Sequence, residues 1–154
     1  MVIGKMYKSN IASLHLGQDL IHWCNNIRYL GVYIVSDKSV KFDFNPVKRS
    51  FYSACNAIFS NCHDVNESVV LSLQESYSLS VLMYALPSLS LQRKQLDELN
   101  VCWNSVIRRI FSFKRTTSVK EVLHGFGRLN IKPLVVLRKV KFYRKMWLKD
   151  LITA

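Results

Sequence analysis

The residues whose type and spacing point most clearly to chemistry are the Lys and Arg residues in the last third of the chain. Residues 105–154 contain 13 basic and 2 acidic residues, a net charge of 13 − 2 = +11, whereas residues 1–104 contain 9 basic and 8 acidic residues. Nearly all of the formal charge of +12 is therefore carried by one third of the 154 residues. This asymmetry indicates a polyanionic partner, with nucleic acid favoured over an anionic membrane.

Four of these cations are predicted to form a row along the last helix. They follow one another at spacings of three, four and four residues: Arg138, Lys141, Lys145 and Lys149. Five apolar residues are spaced to fall on the opposite side of that helix: Val136, Val140, Tyr143, Trp147 and Leu151. We expect the apolar row to pack on the domain and the cations to contact phosphates. A solvated basic face is the alternative, and the packing of the apolar row argues against a membrane-surface helix.

A second basic cluster lies around the end of the preceding long helix. Its members are Arg108, Arg109, Lys114 and Arg115. Cations in the last turn of a helix complement the helix dipole, which accounts for two of the four. Because four cations in eight residues are more than this stabilisation requires, the cluster also favours a contact with a polyanion.

No pattern typical of a catalytic centre or a metal site occurs in the sequence. There is no Asp-Asp pair, no Gly-rich phosphate loop, no HExxH and no CxxC motif. Cys62 and His63 lack the second pair of ligands that a structural zinc site needs. We therefore expect no catalytic residue, no metal ligand, no cofactor and no small-molecule substrate.

Apolar stretches and cysteines bear on where the protein is located. The segment Ser76–Gln92 has 17 residues but includes five Ser and one Pro, so it is too short and too polar for a membrane-spanning helix. The N-terminal residues contain no apolar stretch typical of a signal peptide. The four cysteines are irregularly spaced and are expected to be buried free thiols. These features predict an intracellular protein, nuclear or cytoplasmic, that is neither secreted nor membrane-bound.

An α+β fold is predicted to position these residues, with a small antiparallel β-segment at the N-terminus and a mostly α-helical bundle after it. The boundary is expected between residues 1–44 and residues 45–154, where the period of the apolar residues changes from two to 3.6. Within the β-segment, the alternation around Gly17 predicts a hairpin. The run Ile27–Val35 is apolar on both faces and predicts one strand between two layers, with Gly31 marking a bulge or a close backbone approach.

Five helices are predicted in the bundle from helical spacing and capping residues. They are expected to run from Asn45, from Asn66 to before Pro87, from Ser90 to Phe111, from Ser118 to Gly125, and from Pro133 towards Leu151. Ser118 and Glu121 are expected to form a capping box.

Several segments of the chain resemble the C-terminal end of a non-LTR (LINE-type) retrotransposon reverse transcriptase. Ile27–Ile34 resembles the "YLGV" strand pair, which is the primer grip at the border of palm and thumb. Leu14–Ile21 is similar to the "L-x-L-G-x-x-I" hairpin that precedes it, and Arg49–Tyr52 is similar to the first thumb helix. Trp103–Phe111 resembles the "W-N-x-x-x-R-x-x-F" segment of the thumb. The resemblance covers about residues 10 to 147.

The resemblance implies binding without catalysis. The family binds Mg²⁺ through aspartates in a Tyr/Phe-Ala-Asp-Asp turn that precedes the hairpin, and this turn does not occur in the chain. What carries over is contact with RNA, DNA or RNA–DNA hybrid. The residues that match are Tyr29, Leu30 and Gly31 of the primer grip, together with the basic residues of the thumb, Arg108, Arg109, Lys114, Arg115, Arg138, Lys141, Lys145 and Lys149.

The resemblance therefore implies a truncated, inactive fragment of an RNA-directed DNA polymerase that binds duplex without sequence preference. Two alternatives stay open. One is a repurposed helical module that binds proteins and has no role with nucleic acid. The other is a hydrolase or transferase of a type that the sequence does not reveal.

Overall fold

The computed structural model describes residues 1–7 and 12–152, with side chains described as far as Leu148. The chain divides into two compact units, the first ending at Pro46 and the second beginning at Val47. Antiparallel strands occupy the first unit and helices occupy the second, so the predicted α+β class is confirmed.

The first unit contains two small antiparallel sheets. Strand β1 (Leu14–Leu16) pairs with β2 (Asp19–Ile21) around a turn in which Gly17 has a φ of 65°. The second sheet has the order β3 (Asn26–Tyr29), β4 (Val32–Val35) and β5 (Lys41–Asp43). The hairpin predicted around Gly17 is therefore present.

The prediction of one continuous strand over Ile27–Val35 is wrong, because the chain reverses at its centre. Leu30 and Gly31 have φ values of 46° and 79°, and two successive residues with positive φ form the tight turn that joins β3 to β4. The side chains of β3 are exposed and those of β4 are half-buried, so this segment does not lie between two layers. Periodicity alone does not separate a long strand from two short strands joined by a two-residue turn.

Six α-helices are present among the described residues, one more than predicted. Their bounds are α1 (Asn45–Asn61), α2 (Glu67–Ser76), α3 (Ser78–Met83), α4 (Arg93–Ile110), α5 (Val119–Gly125) and α6 (Ile131–Ile152). Asn66 caps α2 by accepting a hydrogen bond from the backbone N–H of Ser68. The helix expected from Asn66 to Pro87 is interrupted at Tyr77, where φ is −102° and ψ is −68°, and it ends in a 3₁₀ turn over Leu86–Ser88.

Helix α4 lies at the centre of the second unit and packs against α2, α5 and α6. The apolar residues that fall on one side of α4 at helical spacing are buried at Leu99, Trp103, Val106, Ile107 and Ile110, whereas Leu96 is half-buried. On α1, Phe51 and Cys55 are buried, and Val47, Ile58 and Phe59 are half-buried. The cysteines are free; Cys55 and Cys102 are buried as expected, whereas Cys62 is half-buried and Cys24 is exposed.

One segment among the described residues, Glu67–Ser88, has the length and the apolar composition of a membrane span. It consists of α2, α3 and the 3₁₀ turn, and 44% of its most apolar part is buried inside the fold. Leu71, Leu79 and Leu82 are at most 3% exposed. These side chains belong to the core of the helical unit.

Candidate nucleic-acid interface

The first two members of the basic cluster at the end of α4 are engaged with neighbouring elements. Arg109 donates from Nη1 to Asn56 Oδ1 at 2.8 Å, and its guanidinium lies 4.1 Å from the centre of the Phe59 ring. Arg108 donates from Nη2 to the carbonyl oxygen of Thr117 at 3.3 Å. Arg109 thus links α4 to α1, and Arg108 links α4 to the loop before α5. Arg109 is nevertheless exposed to solvent.

The other two members, Lys114 and Arg115, lie in the loop between α4 and α5 and are exposed. A stack of three phenylalanine rings holds this loop. Phe111 stacks on Phe113 with ring centres 5.4 Å apart, and on Phe126 with ring centres 5.1 Å apart. Neither Lys114 nor Arg115 makes an ion pair with the part of the chain that the structure describes. Both cations are therefore free to meet an external anion.

The predicted packing face of α6 is wrong. Helix α6 packs on α4 and on the 3₁₀ turn through Ile131 and Val135, which are at most 2% exposed. The apolar row that was expected to pack is exposed at each described position: Val136, Val140, Tyr143 and Trp147, with Trp147 73% exposed. The sequence offers two apolar rows at helical spacing, and the positions of α4 and of the 3₁₀ turn select the row that begins at Ile131. The side chain of Leu151 lies outside the described residues.

The predicted row of cations on α6 is split by this packing. Arg138 is half-buried, one turn beyond Val135, whereas Lys141 and Lys145 are exposed. Arg144 is also exposed, although the sequence-based selection did not include it. These three exposed cations make no ion pair among the side chains described. The side chain of Lys149 lies outside the described residues, so its predicted role stays a prediction.

The three residues that resemble a primer grip lie together at the tip of the β3–β4 hairpin in the first unit. Tyr29 is 63% exposed and Leu30 is 73% exposed, and Gly31 completes the turn. The neighbouring Arg28 places its guanidinium 5.6 Å from the centre of the ring of its cross-strand partner Tyr33. The hairpin therefore presents an exposed tip that is aromatic and aliphatic rather than charged.

A cleft of about 650 Å³ lies between α4, α5 and the start of α6. Its lining includes Asn100, Asn104, Lys120, His124, Arg128 and Lys132. Sequence reasoning missed this cleft because its residues come from three separate elements. One signal was available, since Asn100 and Asn104 are polar residues one turn apart on a helix whose other inward positions are apolar.

Two carboxylates pair with cations of the cleft. Asp97 Oδ1 bonds with Lys132 Nζ, and Glu75 Oε2 lies 3.4 Å from Arg128 Nε. The hydrogen bond from Lys132 lowers the pKa of Asp97, whereas burial raises the pKa of Glu75 against the opposing effect of Arg128.

At the start of α5, Ser118 forms no capping hydrogen bond with its side chain, so the predicted capping box is absent.

Among the described residues, no three His, Cys, Asp or Glu side chains come close enough together to hold a metal ion. No protein-family model, no curated protein and no solved structure matches this chain.

Proposed function

We propose that this chain binds nucleic acid without catalysis, and that it derives from the palm edge and thumb of a non-LTR retrotransposon reverse transcriptase. Its ligand would be RNA, DNA or RNA–DNA hybrid, bound through phosphates without sequence preference. The observation that carries this proposal is a set of five exposed cations without carboxylate partners among the described residues. They are Lys114, Arg115, Lys141, Arg144 and Lys145, called the free cations below.

The ion pairs described in the second unit involve cations other than these five. Glu75, Asp97 and Glu98 pair with Arg128, Lys132 and Lys48. Three carboxylates of this unit are thus used on other cations. Each free cation that contacts a phosphate displaces condensed counterions from the nucleic acid, and the entropy of their release favours binding.

No polymerase activity is proposed. Nucleotide transfer on two metal ions needs paired carboxylates, and the chain contains neither an Asp-Asp pair nor an Ala-Asp-Asp turn. Primer extension with Mg²⁺ or Mn²⁺ tests this point directly, and extension that survives stringent purification would contradict it.

A helical module that binds proteins is the second candidate function. One observation favours it, namely the exposed row on α6 formed by Val136, Val140, Tyr143 and Trp147. A row of this kind is typical of a helix that lies in the groove of a partner protein. Contact with a phosphate backbone would not bury these apolar side chains. The exposed row is therefore a feature that nucleic-acid binding does not explain.

A titration with a fluorescent RNA–DNA hybrid at several salt concentrations tests the first proposal. If five phosphates are contacted, the logarithm of the binding constant should fall with the logarithm of salt at a slope of about −4.5. Replacing Lys141, Arg144 and Lys145 together with Gln should weaken binding to every sequence and reduce the slope by about 2.7. The fold should persist because these side chains are exposed.

A variant with Lys38, Arg49 and Lys94 replaced by Gln is the matched control, since it loses the same charge from other exposed positions. Equal weakening in both variants would mean that net charge, rather than these positions, governs binding. If the α6 variant kept the affinity and the salt slope of the wild type, its cations would only be solvated surface residues. Protein binding would then be the better proposal. Anionic vesicles in the same assay test the prediction that no membrane is bound.

A further inference from the structure

We infer that the cleft between α4, α5 and the start of α6 binds a nucleoside phosphate. Asn100 and Asn104 would bond the base or the sugar, and Lys120, Arg128 and Lys132 would hold the phosphate. This site goes beyond the proposed function, because none of its residues belongs to the free cations that would contact a duplex backbone.

The first observation is a polar stripe along α4 whose hydrogen-bonding capacity is only partly used. Asn100, Asn104 and Arg108 follow one another at intervals of four residues and so lie on one side of the helix. The Oδ1 atoms of both asparagines and the Nε atom of Arg108 are buried without a hydrogen-bond partner. A buried polar atom without a partner destabilises the fold, so each such atom calls for an explanation, and a bound water, ion or ligand is one.

The second observation is the charge of the cleft. Lys120, His124, Arg128 and Lys132 line it, and no carboxylate does. Arg128 and Lys132 each pair with one carboxylate, of Glu75 and Asp97, whereas Lys120 makes no ion pair among the residues described. The remaining positive charge suits a single small anion such as a phosphate monoester.

The third observation is the size of the cleft. Sites for small molecules measure about 300–1,000 Å³, and this cleft measures about 650 Å³. Inorganic phosphate would fill a small part of that volume and would leave the two asparagine Oδ1 atoms without partners. A ligand that joins a phosphate to a hydrogen-bonding ring and sugar uses both the amides and the cations.

Two sources could supply this ligand, a free nucleotide or the phosphorylated end of a strand. Calorimetric titration of the full chain with adenosine 5′-monophosphate, adenosine and inorganic phosphate tests the shared chemistry. The monophosphate should bind at least about tenfold more tightly than the other two, because each of them lacks one half of the interactions. Short oligonucleotides with a 5′-phosphate or a 5′-hydroxyl then show whether strand ends are bound.

Two variants locate the site. Lys120→Gln and Asn104→Leu should each weaken binding of the monophosphate by about tenfold, through loss of a charge-assisted hydrogen bond and of the amide. Lys94→Gln, which removes an exposed cation outside both the cleft lining and the free cations, should leave the affinity unchanged. Should Asn104→Leu fail to fold, the exposed Lys120→Gln variant still gives the test. Absence of saturable binding by the wild-type chain, or equal affinity in the wild type and Lys120→Gln, would overturn the inference.

Discussion

Lys139 donates a hydrogen bond from Nζ to the carbonyl oxygen of Leu89 at 2.8 Å. This contact joins α6 to the segment just after the 3₁₀ turn, on the same side of the helix as Ile131 and Val135. One cation of the basic last third therefore stabilises the fold directly. Its neighbour Lys141, two residues further on, is exposed.

The Lys139 contact predicts a difference between two lysines of similar sequence context. Lys139→Met should lower the free energy of unfolding by about 1–2 kcal/mol, because a half-buried carbonyl loses a charged donor. Lys141→Met should change it by less than about 0.5 kcal/mol, as is usual for exposed positions. Urea denaturation of both variants is the measurement. Equal effects would show that the bond to Leu89 contributes nothing.

The core of the second unit predicts a strong contrast between two positions on α4. Leu99 is fully buried whereas Val101 is 64% exposed. Leu99→Ala should cost about 2–5 kcal/mol of unfolding free energy through lost burial and a residual cavity. Val101→Ala should cost less than about 0.5 kcal/mol. Thermal melts followed by circular dichroism compare the two, and a small loss for Leu99→Ala would mean that α4 is not the centre of the core.

The β3–β4 turn predicts opposite effects at adjacent residues. Leu30→Asn should stabilise the hairpin by about 1 kcal/mol, since Asn tolerates a left-handed backbone better than Leu does. Gly31→Ala should destabilise it by a similar amount, because alanine adopts a positive φ only with strain. Hydrogen exchange of the β3 and β4 amides should slow about fivefold in the first variant and accelerate in the second. The same direction of change in both variants would contradict the tight turn.

The burial of Glu75 leads us to expect that the stability of the fold depends on pH. Its pKa is raised in the folded protein above the ordinary value of 4.5, so the folded state holds this proton more strongly than the unfolded state does. Its contribution to stability is therefore present below pH 4.5 and is lost as the pH rises through the raised pKa. Glu75→Gln removes this loss, so the variant should gain stability relative to the wild type as the pH rises from 4.5 through the raised pKa of Glu75. A constant difference between the two melting temperatures would refute this assignment.

The sequence predicted the parts of the fold that depend on a single unambiguous pattern. The apolar stripe of α4 from Leu99 to Ile110 had no competing row, and the structure buries it. On α6 two rows compete, one starting at Ile131 and the other at Val136. Only the positions of α4 and of the 3₁₀ turn decide between them, and this information is not local to the helix.

The candidate sites likewise contain some features that the local sequence predicts and others that depend on contacts between distant segments. Exposed cations such as Lys114 and Arg115 were predicted from composition, because a cluster in a polar loop has few ways to become buried. The engagement of Arg109 with Asn56 could not be predicted, since the two residues are 53 positions apart in the sequence. The cleft was missed for the same reason. Its polar atoms converge only when α4, α5 and α6 pack together.

Helix α6 continues from Lys141 to Leu148 with every side chain exposed. An isolated helix must first form a nucleus at a cost in free energy, and the packed first turns of α6 supply that nucleus. The exposed stretch is therefore in equilibrium between helix and coil, with the helix extending from the packed end. Helicity there should decline gradually on heating, before the cooperative transition of the core. Any partner that covers Trp147 also shifts this equilibrium and buries apolar surface, which gives a negative heat-capacity change. Affinity and helix content are thereby linked, and substitutions that raise helix propensity between Lys141 and Leu148 should tighten binding without touching the partner.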